Sequence, residues 1–328
     1  MHRLLTIALL LTLASASADP APAPALRIDR ERITVSGLSS GGHMAHQLHV
    51  AYSDLFSGAA IIAGGPFGCA QGSVMTALAR CVRTSGGGLS PDEFVEEIRK
   101  AAGQGLLADT KHLADDRVWL FHGALDKAVA EDLSVTLQGV YRAFLPAGNI
   151  TYVDDVPAAH HFPARDAGHA CDASETPFIG RCDYDAAGEL LKHLYPGLKA
   201  PDGATTETLR EVELPGTSGA GLQDKAFLYV PARCAGGRED CALHLVLHGC
   251  TQSSAQIGTT FIDQAGYLPW AEANGIVLAF PQVAPSPVNP LGCWDWWGYT
   301  GADYRWRNGP QMKRVADWVR WLAGIGPA

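Results

Sequence analysis

Short apolar runs alternate with helical patterns along most of the chain. Runs that are rich in β-branched or aromatic residues are typical of buried strands, and they lie at 33–36, 58–63, 118–121, 150–153, 226–230, 243–247 and 276–280. Apolar residues at helical spacing predict helices at 42–51, 91–102, 133–144, 185–195 and 310–323. This alternation predicts an α/β fold, with a mostly parallel sheet and helices on both faces.

The N-terminus has the pattern of a secretory signal peptide. A basic start, Met1-His2-Arg3, precedes an apolar run from Leu4 to Leu13 and a small-residue segment that ends at Ala18. The alternative is a membrane anchor, but the run is shorter than the roughly 20 residues that span a bilayer. We therefore expect residues 1–18 to be removed and 19–328 to be a secreted protein, extracellular or periplasmic.

Composition narrows the class of protein further. The chain has 25 Lys+Arg and 34 Asp+Glu, a formal net charge of −9, and 47% hydrophobic residues. The acidic balance argues against a nucleic-acid partner, which normally requires a basic face. We expect a folded, soluble monomer with no membrane partner and no cofactor.

The eight cysteines fit an oxidising compartment, where disulfides persist. They allow 105 pairings, of which the spacing favours one as a hypothesis: Cys69 with Cys81, Cys171 with Cys182, Cys234 with Cys241 and Cys250 with Cys293. No Cys-x-x-Cys pair exists, and His43, His46 and His49 recur every three residues. We interpret these histidines as a polar helix surface and expect no metal site.

A nucleophile motif lies between the first strand and its helix. Gly37-Leu38-Ser39-Ser40-Gly41 matches Gly-x-Ser-x-Gly, which in a strand–turn–helix context is a nucleophile elbow. The sharp turn requires small neighbours, and the helix N-terminus favours developing negative charge. Ser39 is the predicted nucleophile, and Ser40 would offer a backbone N–H to an oxyanion hole.

A serine nucleophile needs a base and an acid that orients it. Asp126 follows the strand at 118–121 and is the acid candidate. Its rivals are aspartates that precede a strand or end one, Asp115, Asp116, Asp154 and Asp155. His160 and His161 follow the strand at 150–153, and position alone does not choose between them.

Ser39 lies unusually early for an α/β-hydrolase, because several strands should precede the elbow. The missing strands lie at the other end, where Leu247-His248-Gly249-Cys250 resembles a strand with its oxyanion loop and helix 310–323 resembles the helix before the elbow strand. We therefore predict a circularly permuted α/β-hydrolase with one catalytic domain over 19–328. Residues 196–224, rich in Pro and Gly, would be the connector between the original ends.

The chain resembles the single-domain extracellular polyhydroxybutyrate depolymerases, which are circularly permuted α/β-hydrolases. The resemblance covers roughly residues 31–322. Its anchors are short motifs that are specific only in combination: Ser36–Gly42 with Met44, Ala51–Asp54, Ala63–Pro66 with Cys69, His160 with Phe162-Pro163, Cys182–Asp185, Leu247–Cys250 with Gln252-Ser253, and Gly292–Trp296.

By position, the resemblance implies Ser39 as nucleophile, Asp126 as acid and His160 as base, with the backbone N–H groups of Ser40 and Cys250 as the oxyanion hole. It implies that Trp296 lines the polymer-binding crevice. Two further residues are substrate-binding candidates: Trp294, in the same aromatic cluster, and His248 of the oxyanion loop. For Trp294 the alternative is packing in the core of its own loop.

The resemblance implies a serine esterase that hydrolyses poly(3-hydroxybutyrate)-type short-side-chain polyesters and their oligomers. One alternative is a carbohydrate-linked esterase, acetyl or feruloyl, of the same fold, because fold does not fix substrate. A second is a non-catalytic protein that grips a polymer with its tryptophans. No residues remain for a separate polymer-binding module, so we expect adsorption to polymer to come from the catalytic domain.

Overall fold

A computed structural model of the chain describes residues 25–84, 89–203 and 209–326. The predicted signal peptide, 1–18, lies outside the described residues. Within these ranges the strands are β1 (Arg27–Leu38), β2 (Gly58–Ile62), β3 (Arg117–Phe121), β4 (Ile150–Val153), β5 (Phe162–Ala164), β6 (His169–Ala170), β7 (Ile179–Arg181), β8 (Arg210–Glu213), β9 (Lys225–Tyr229), β10 (Asp240–Leu247) and β11 (Ile276–Phe280). The α-helices are α1 (Ser40–Ala51), α2 (Val74–Arg80), α3 (Pro91–Gly103), α4 (Glu131–Arg142), α5 (Ala186–Leu194), α6 (Ser254–Ile257), α7 (Thr260–Gln264), α8 (Tyr267–Asn274) and α9 (Pro310–Leu322).

One large sheet organises the molecule. Its strand order is β4-β3-β2-β1-β10-β11-β9-β8, and its pairs are parallel except those of β9, which runs antiparallel to both β11 and β8. If the chain is read from β8 to β11 and then from β1 to β4, the strand before Ser39 becomes the fifth of eight. The strand order then reads 8-7-6-5-3-4-2-1, which is that of a standard α/β-hydrolase sheet. The predicted fold class, including its permuted strand order, is confirmed.

The strands divide their side chains between two apolar layers, because successive residues of a strand face opposite sides of a sheet. On β10, Leu243 and Leu245 belong to one buried layer, and Ala242 and Val246 belong to the other. Helices α1, α3, α4 and α9 cover the first layer, and α5, α7 and α8 cover the second. The apolar runs at 58–62, 118–121, 243–247 and 276–280 are therefore strands that are buried on both faces.

Helix α1 is buried along its whole length, including all three of its histidines. The interpretation of His43, His46 and His49 as a polar helix surface was therefore wrong. Each ring meets the interior differently: His43 stacks on Trp296, His46 lies 3.2 Å from the Gly65 carbonyl oxygen through Nδ1, and His49 contacts Asp116 and Tyr141. A central helix packed on both sides needs no apolar stripe, so its sequence does not show that it is buried.

Several short elements were not predicted. They include α2, the helices α6 to α8 and the small sheet of order β5-β7-β6. Strand β8 lies inside the predicted connector 196–224 and pairs with β9 at the sheet edge. Its residues Arg210-Glu211-Val212-Glu213 are mostly exposed, so they lack the apolar pattern that identifies a buried strand.

All eight cysteines are paired as hypothesised: Cys69–Cys81, Cys171–Cys182, Cys234–Cys241 and Cys250–Cys293. In the described part of the chain, none of the helices combines the length and apolar character that crossing a bilayer demands.

Candidate active site

Ser39 stands on a strained turn between β1 and α1. Its backbone has φ 56° and ψ −117°, a left-handed conformation that non-glycine residues rarely adopt. The two motif glycines let backbone pass backbone. A Cβ on Gly37 would lie 2.1 Å from the Gly41 oxygen, and one on Gly41 would lie 2.4 Å from the His248 carbonyl oxygen. The glycine spacing is therefore a steric requirement of this turn.

The structure brings the predicted nucleophile, base and acid into one hydrogen-bonded line. Ser39 Oγ lies 3.0 Å from Nε2 of His160, and Nδ1 of His160 lies 2.7 Å from Oδ2 of Asp126. Asp126 can only accept when ionised, so Nδ1 carries the proton and Nε2 is free to accept from the serine hydroxyl. This is the tautomer that a general base requires.

The carboxylate of Asp126 is held in the ionised form. Burial raises its pKa, but hydrogen bonds from His160 and from the backbone N–H groups of Val129 and Ala128 outweigh that effect and hold the pKa below its usual value. The side chain is 1% exposed. A buried charge that is satisfied in this way can orient the imidazole without being protonated.

His161, the other base candidate, lies in a different environment. Its Nε2 lies 2.7 Å from the Cys171 carbonyl oxygen, and its ring fills the space that a Cβ on Gly180 would need. Among the described residues it is also the histidine of a possible metal-ligand group with Cys171 and Cys182. Those two sulfurs form a disulfide, so neither is available as a thiolate.

The His248 ring fixes the backbone of the loop that follows β10. Nδ1 of His248 donates to the Gly249 carbonyl oxygen at 2.7 Å, and Nε2 accepts from the backbone N–H of Val283 at 3.3 Å. Burial lowers the pKa of His248 to about 4, so the ring is neutral. In a trans peptide the C=O and N–H point in opposite directions. Holding the Gly249 oxygen therefore turns the Cys250 N–H away from the His248 ring.

Trp294 connects this loop to the nucleophile helix. Its backbone N–H donates to Oγ of Ser40 at 3.4 Å, and its indole N–H donates to the His248 carbonyl oxygen at 3.0 Å. The Cys250–Cys293 disulfide joins the same segments covalently. Trp294 and His248 are 0% and 1% exposed. Neither offers a surface to substrate, so the structure does not support the expectation that they bind it directly.

Trp296 lies at the edge of the interior, where its indole stacks on the His43 ring with 4.2 Å between ring centroids. Asp295 fixes the turn that follows. Its carboxylate accepts from the backbone N–H groups of Gly298, Tyr299 and Thr300 at 2.7 to 2.9 Å and from the Thr300 hydroxyl. Trp296 is 8% exposed, so only a small part of the residue meets solvent.

Two residues that shape this site were not assigned a role from the sequence, Asp295 and Gln252. Asp295 stands between two tryptophans, and Gln252 stands three residues after Gly249. Neither is part of a local catalytic motif. The carboxylate of Asp295 contacts residues within five positions of it, in an irregular turn that has no sequence signature. Gln252 contacts Pro177 and Phe178, which are distant in the chain and which a single sequence does not reveal.

The fold and the site define a serine hydrolase of the α/β-hydrolase class. No protein-family model matches the chain. It is 41% identical over 307 residues to a poly(3-hydroxybutyrate) depolymerase of Delftia acidovorans, covering 92% of this chain and 62% of that protein. It is 34% identical over 310 residues to a polyhydroxybutyrate depolymerase of Talaromyces funiculosus, covering 89% and 90% of the two chains.

Solved structures of the same family superpose on the chain. A PHB depolymerase from Penicillium funiculosum superposes with a TM-score of 0.86, and a PHB depolymerase complexed with an R3HB trimer superposes with 0.87. Each is 32% identical and covers 93% of this chain and 100% of its own. The chain belongs to the polyhydroxybutyrate depolymerase family.

Proposed function

We propose that this protein is a secreted serine esterase that hydrolyses poly(3-hydroxybutyrate)-type short-side-chain polyesters and their oligomers through an acyl-enzyme. The observation that carries the proposal is the Ser39–His160–Asp126 line of hydrogen bonds in a chain that belongs to this family. Four disulfides support an oxidising, extracellular location.

Acylation begins with transfer of the Ser39 hydroxyl proton to Nε2 of His160 while Oγ attacks the ester carbonyl carbon. Asp126 stabilises the imidazolium through Nδ1–H. The carbonyl oxygen takes up the negative charge beside the backbone N–H groups of Ser40 and Cys250. Ser40 suits this role because it is the first residue of α1, where the N–H has no partner within the helix.

The tetrahedral intermediate collapses when the His160 imidazolium gives its proton to the alkoxide of the leaving chain. This breaks the ester bond and leaves the acyl group on Ser39. Water then attacks the acyl carbon while His160 accepts its proton. Collapse of this second intermediate breaks the bond between the acyl carbon and Ser39 Oγ, His160 returns the proton to Oγ, and the acid leaves. All atoms come from the ester and one water molecule, and the described residues supply every proton transfer without a cofactor.

Trp296 is proposed to line the crevice for the polymer chain, because a flat apolar ring suits a polyester that offers methyl and methylene groups. Trp294 and His248 are assigned a supporting role behind the oxyanion loop. We further propose that residues 19–328 form one monomeric catalytic domain after removal of residues 1–18, with 196–224 joining the ends of the permuted sheet.

Substrate comparison tests this proposal against the carbohydrate-linked esterase. The purified protein should clear a poly(3-hydroxybutyrate) suspension and release 3-hydroxybutyrate monomers or oligomers. Acetylated or feruloylated xylan should yield little acid at the same enzyme concentration. Release of acetate or ferulate without clearing of the polymer would favour the alternative. Absence of covalent labelling by a fluorophosphonate would favour a non-catalytic binding protein.

A further inference from the structure

Gln252 is a buried amide whose three hydrogen bonds join two separate loops. Its Oε1 accepts from the Gly249 backbone N–H at 2.6 Å, and its Nε2 donates to the carbonyl oxygens of Pro177 and Phe178 at 2.8 and 3.0 Å. The side chain's partners fix its orientation, because an N–H must donate and a carbonyl must accept. Gln252 is 1% exposed, so water does not replace these partners.

The carbonyl oxygens of Pro177 and Phe178, at one end of the bridge that Gln252 makes, belong to a segment that contacts the His160 loop. The Phe178 carbonyl oxygen that Gln252 contacts also accepts from the backbone N–H of Phe162 at 2.9 Å, two residues after His160. In the same segment, the Ser174 hydroxyl donates to the His160 carbonyl oxygen at 3.0 Å. Segment 174–178 therefore holds the backbone of the histidine loop at His160 and at Phe162, on the C-terminal side of the base.

The near end of the bridge is the oxyanion loop. Gly249 donates its N–H to Gln252 and presents its carbonyl oxygen to His248, so both peptide groups that flank its Cα are fixed. A Cβ on Gly249 would lie 2.8 Å from Oε1 of Gln252, which leaves the amide little room to move. The next N–H along the chain is that of Cys250.

We propose that Gln252 is a positioning residue that sets the placement of the Cys250 N–H relative to His160. This inference rests on the proposed function, because it requires that Cys250 binds the oxyanion and that His160 is the base. Both groups act on the same tetrahedral carbon. The Cys250 N–H stabilises the negatively charged oxygen on that carbon, and His160 transfers the proton of the attacking or leaving oxygen. An amide at position 252 couples them because it accepts from one loop and donates to the other.

Two substitutions separate this role from simple packing. Gln252→Glu keeps the shape and can still accept from Gly249, but its carboxylate cannot donate to the Pro177 and Phe178 oxygens. Gln252→Met keeps the approximate length and makes no such hydrogen bonds, and it serves if the Glu variant fails to fold. The matched control is Gln282→Glu.

Gln282 is also a buried amide with two backbone partners. Its Oε1 accepts from the Ser254 N–H at 2.7 Å, and its Nε2 donates to the Phe280 oxygen at 3.1 Å. These contacts stay within the β10–β11 region and do not reach the histidine loop. The control therefore imposes a similar buried substitution without cutting the bridge.

The experiment measures kcat and KM with p-nitrophenyl butyrate as substrate. The concentration of active sites is determined by titration with diethyl p-nitrophenyl phosphate, and kcat is expressed per active site. We expect both Gln252 variants to lose about 10- to 100-fold in kcat, below the roughly 10²- to 10³-fold loss for an oxyanion donor removed outright. KM should stay within about threefold, since ground-state binding is unchanged. Affinity for 1-butaneboronic acid, whose serine adduct is tetrahedral, should fall in step with kcat.

Gln282→Glu should keep its kcat and its boronic acid affinity within about threefold of the wild-type values. If a Gln252 variant keeps the wild-type kcat per titrated site, the positioning role is overturned but the proposed function is not. The same conclusion follows if Gln282→Glu loses as much kcat as the Gln252 variants. If the Ser39→Ala variant hydrolysed the ester as fast as the wild type, the proposed function would be overturned, and this inference with it. The soluble ester keeps both outcomes independent of polymer specificity.

Discussion

Gly41 touches the oxyanion loop so closely that any side chain on it would collide with His248: a Cβ would lie 2.4 Å from the His248 carbonyl oxygen. This contact sets the distance between the nucleophile helix and the loop after β10. The Trp294 indole N–H donates to the same carbonyl oxygen at 3.0 Å. The nucleophile and the proposed oxyanion loop are thus fixed by backbone contact.

Gly41→Ala should therefore disable the site. Because the atoms in the way are backbone, the loop or the helix must shift, and we expect a loss of at least about 100-fold in kcat/KM together with about 1–3 kcal/mol of stability. Gly103→Ala is the control, since a Cβ there meets open space at the end of α3. It should leave both ester hydrolysis and urea midpoint unchanged or slightly improved. Near-normal hydrolysis by Gly41→Ala would mean that this contact is not needed.

The stacked pair of His43 and Trp296 leads to a prediction about chain length. Trp296→Ala removes the aromatic ring that is proposed to line the crevice, so kcat/KM for oligomer and polymer substrates should fall at least about tenfold. A short soluble ester, which does not reach along the crevice, should change by less than about threefold. Trp306→Ala, which removes a half-buried tryptophan packed on Phe67 and Arg305, is the control. Equal losses on long and short esters would argue against a crevice role.

The disulfide between Cys250 and Cys293 should matter more than its smallest counterpart. It closes a loop of 43 residues, whereas Cys234–Cys241 closes 7. Chain entropy alone assigns them about 4 and about 2 kcal/mol. The Cys250→Ala/Cys293→Ala variant should lose both stability and kcat, because the bridge also positions the residue whose backbone N–H is the proposed oxyanion donor.

Removal of the Cys234–Cys241 pair supplies the comparison. That variant should lose stability in urea unfolding but retain its kcat on a soluble ester at temperatures where it stays folded. If removal of the Cys250–Cys293 pair also leaves kcat unchanged, the link between the aromatic loop and the oxyanion loop has no catalytic role.

Four buried histidines should make the fold sensitive to acid. Burial lowers the pKa of His43, His46 and His244 to about 3 and that of His248 to about 4. In the unfolded chain each protonates near the ordinary value of 6.5, so between about pH 6.5 and 4 the unfolded state binds more protons. The free energy of unfolding should fall with decreasing pH, by up to about 1.4 kcal/mol per pH unit for each histidine.

Urea unfolding at a series of pH values from 7.5 to 4.5 measures this slope. His43→Phe keeps a ring against Trp296 but cannot protonate, so its slope should be smaller by about one proton. A free energy of unfolding that stays level across this range would contradict the neutral, buried state of these rings.

The main strands and the elbow could be predicted because each has a local signal, and the position of Asp126 after a strand made it the acid candidate. Buried parallel strands are continuous apolar runs, and Gly37 and Gly41 are required by the turn that holds Ser39. The choice between His160 and His161 had no local signal. It depends on which ring turns toward Asp126, and the Cys171 oxygen that holds His161 is ten residues away.

The histidines of α1 show the opposite failure. Their spacing looks polar, but α1 is covered on every side, so residues that are normally exposed become internal. The sequence left open whether Trp294 packs inside its loop or contacts substrate, and it did not indicate that His248 is buried. An aromatic cluster indicates packing or ligand binding without naming the partner. The fold shows that Trp294 contacts the oxyanion loop.

The central claim is that Ser39 cleaves the polyester. The most direct measurement is the rate at which 3-hydroxybutyrate is released from a poly(3-hydroxybutyrate) suspension by wild type, Ser39→Ala and Ser134→Ala, a buried serine on α4. Wild type and Ser134→Ala should both clear the suspension. Ser39→Ala, folded by circular dichroism, should lose at least about 10⁴-fold, because members of a triad act as a unit. Continued clearing by Ser39→Ala, or no release by the wild type, would contradict the account.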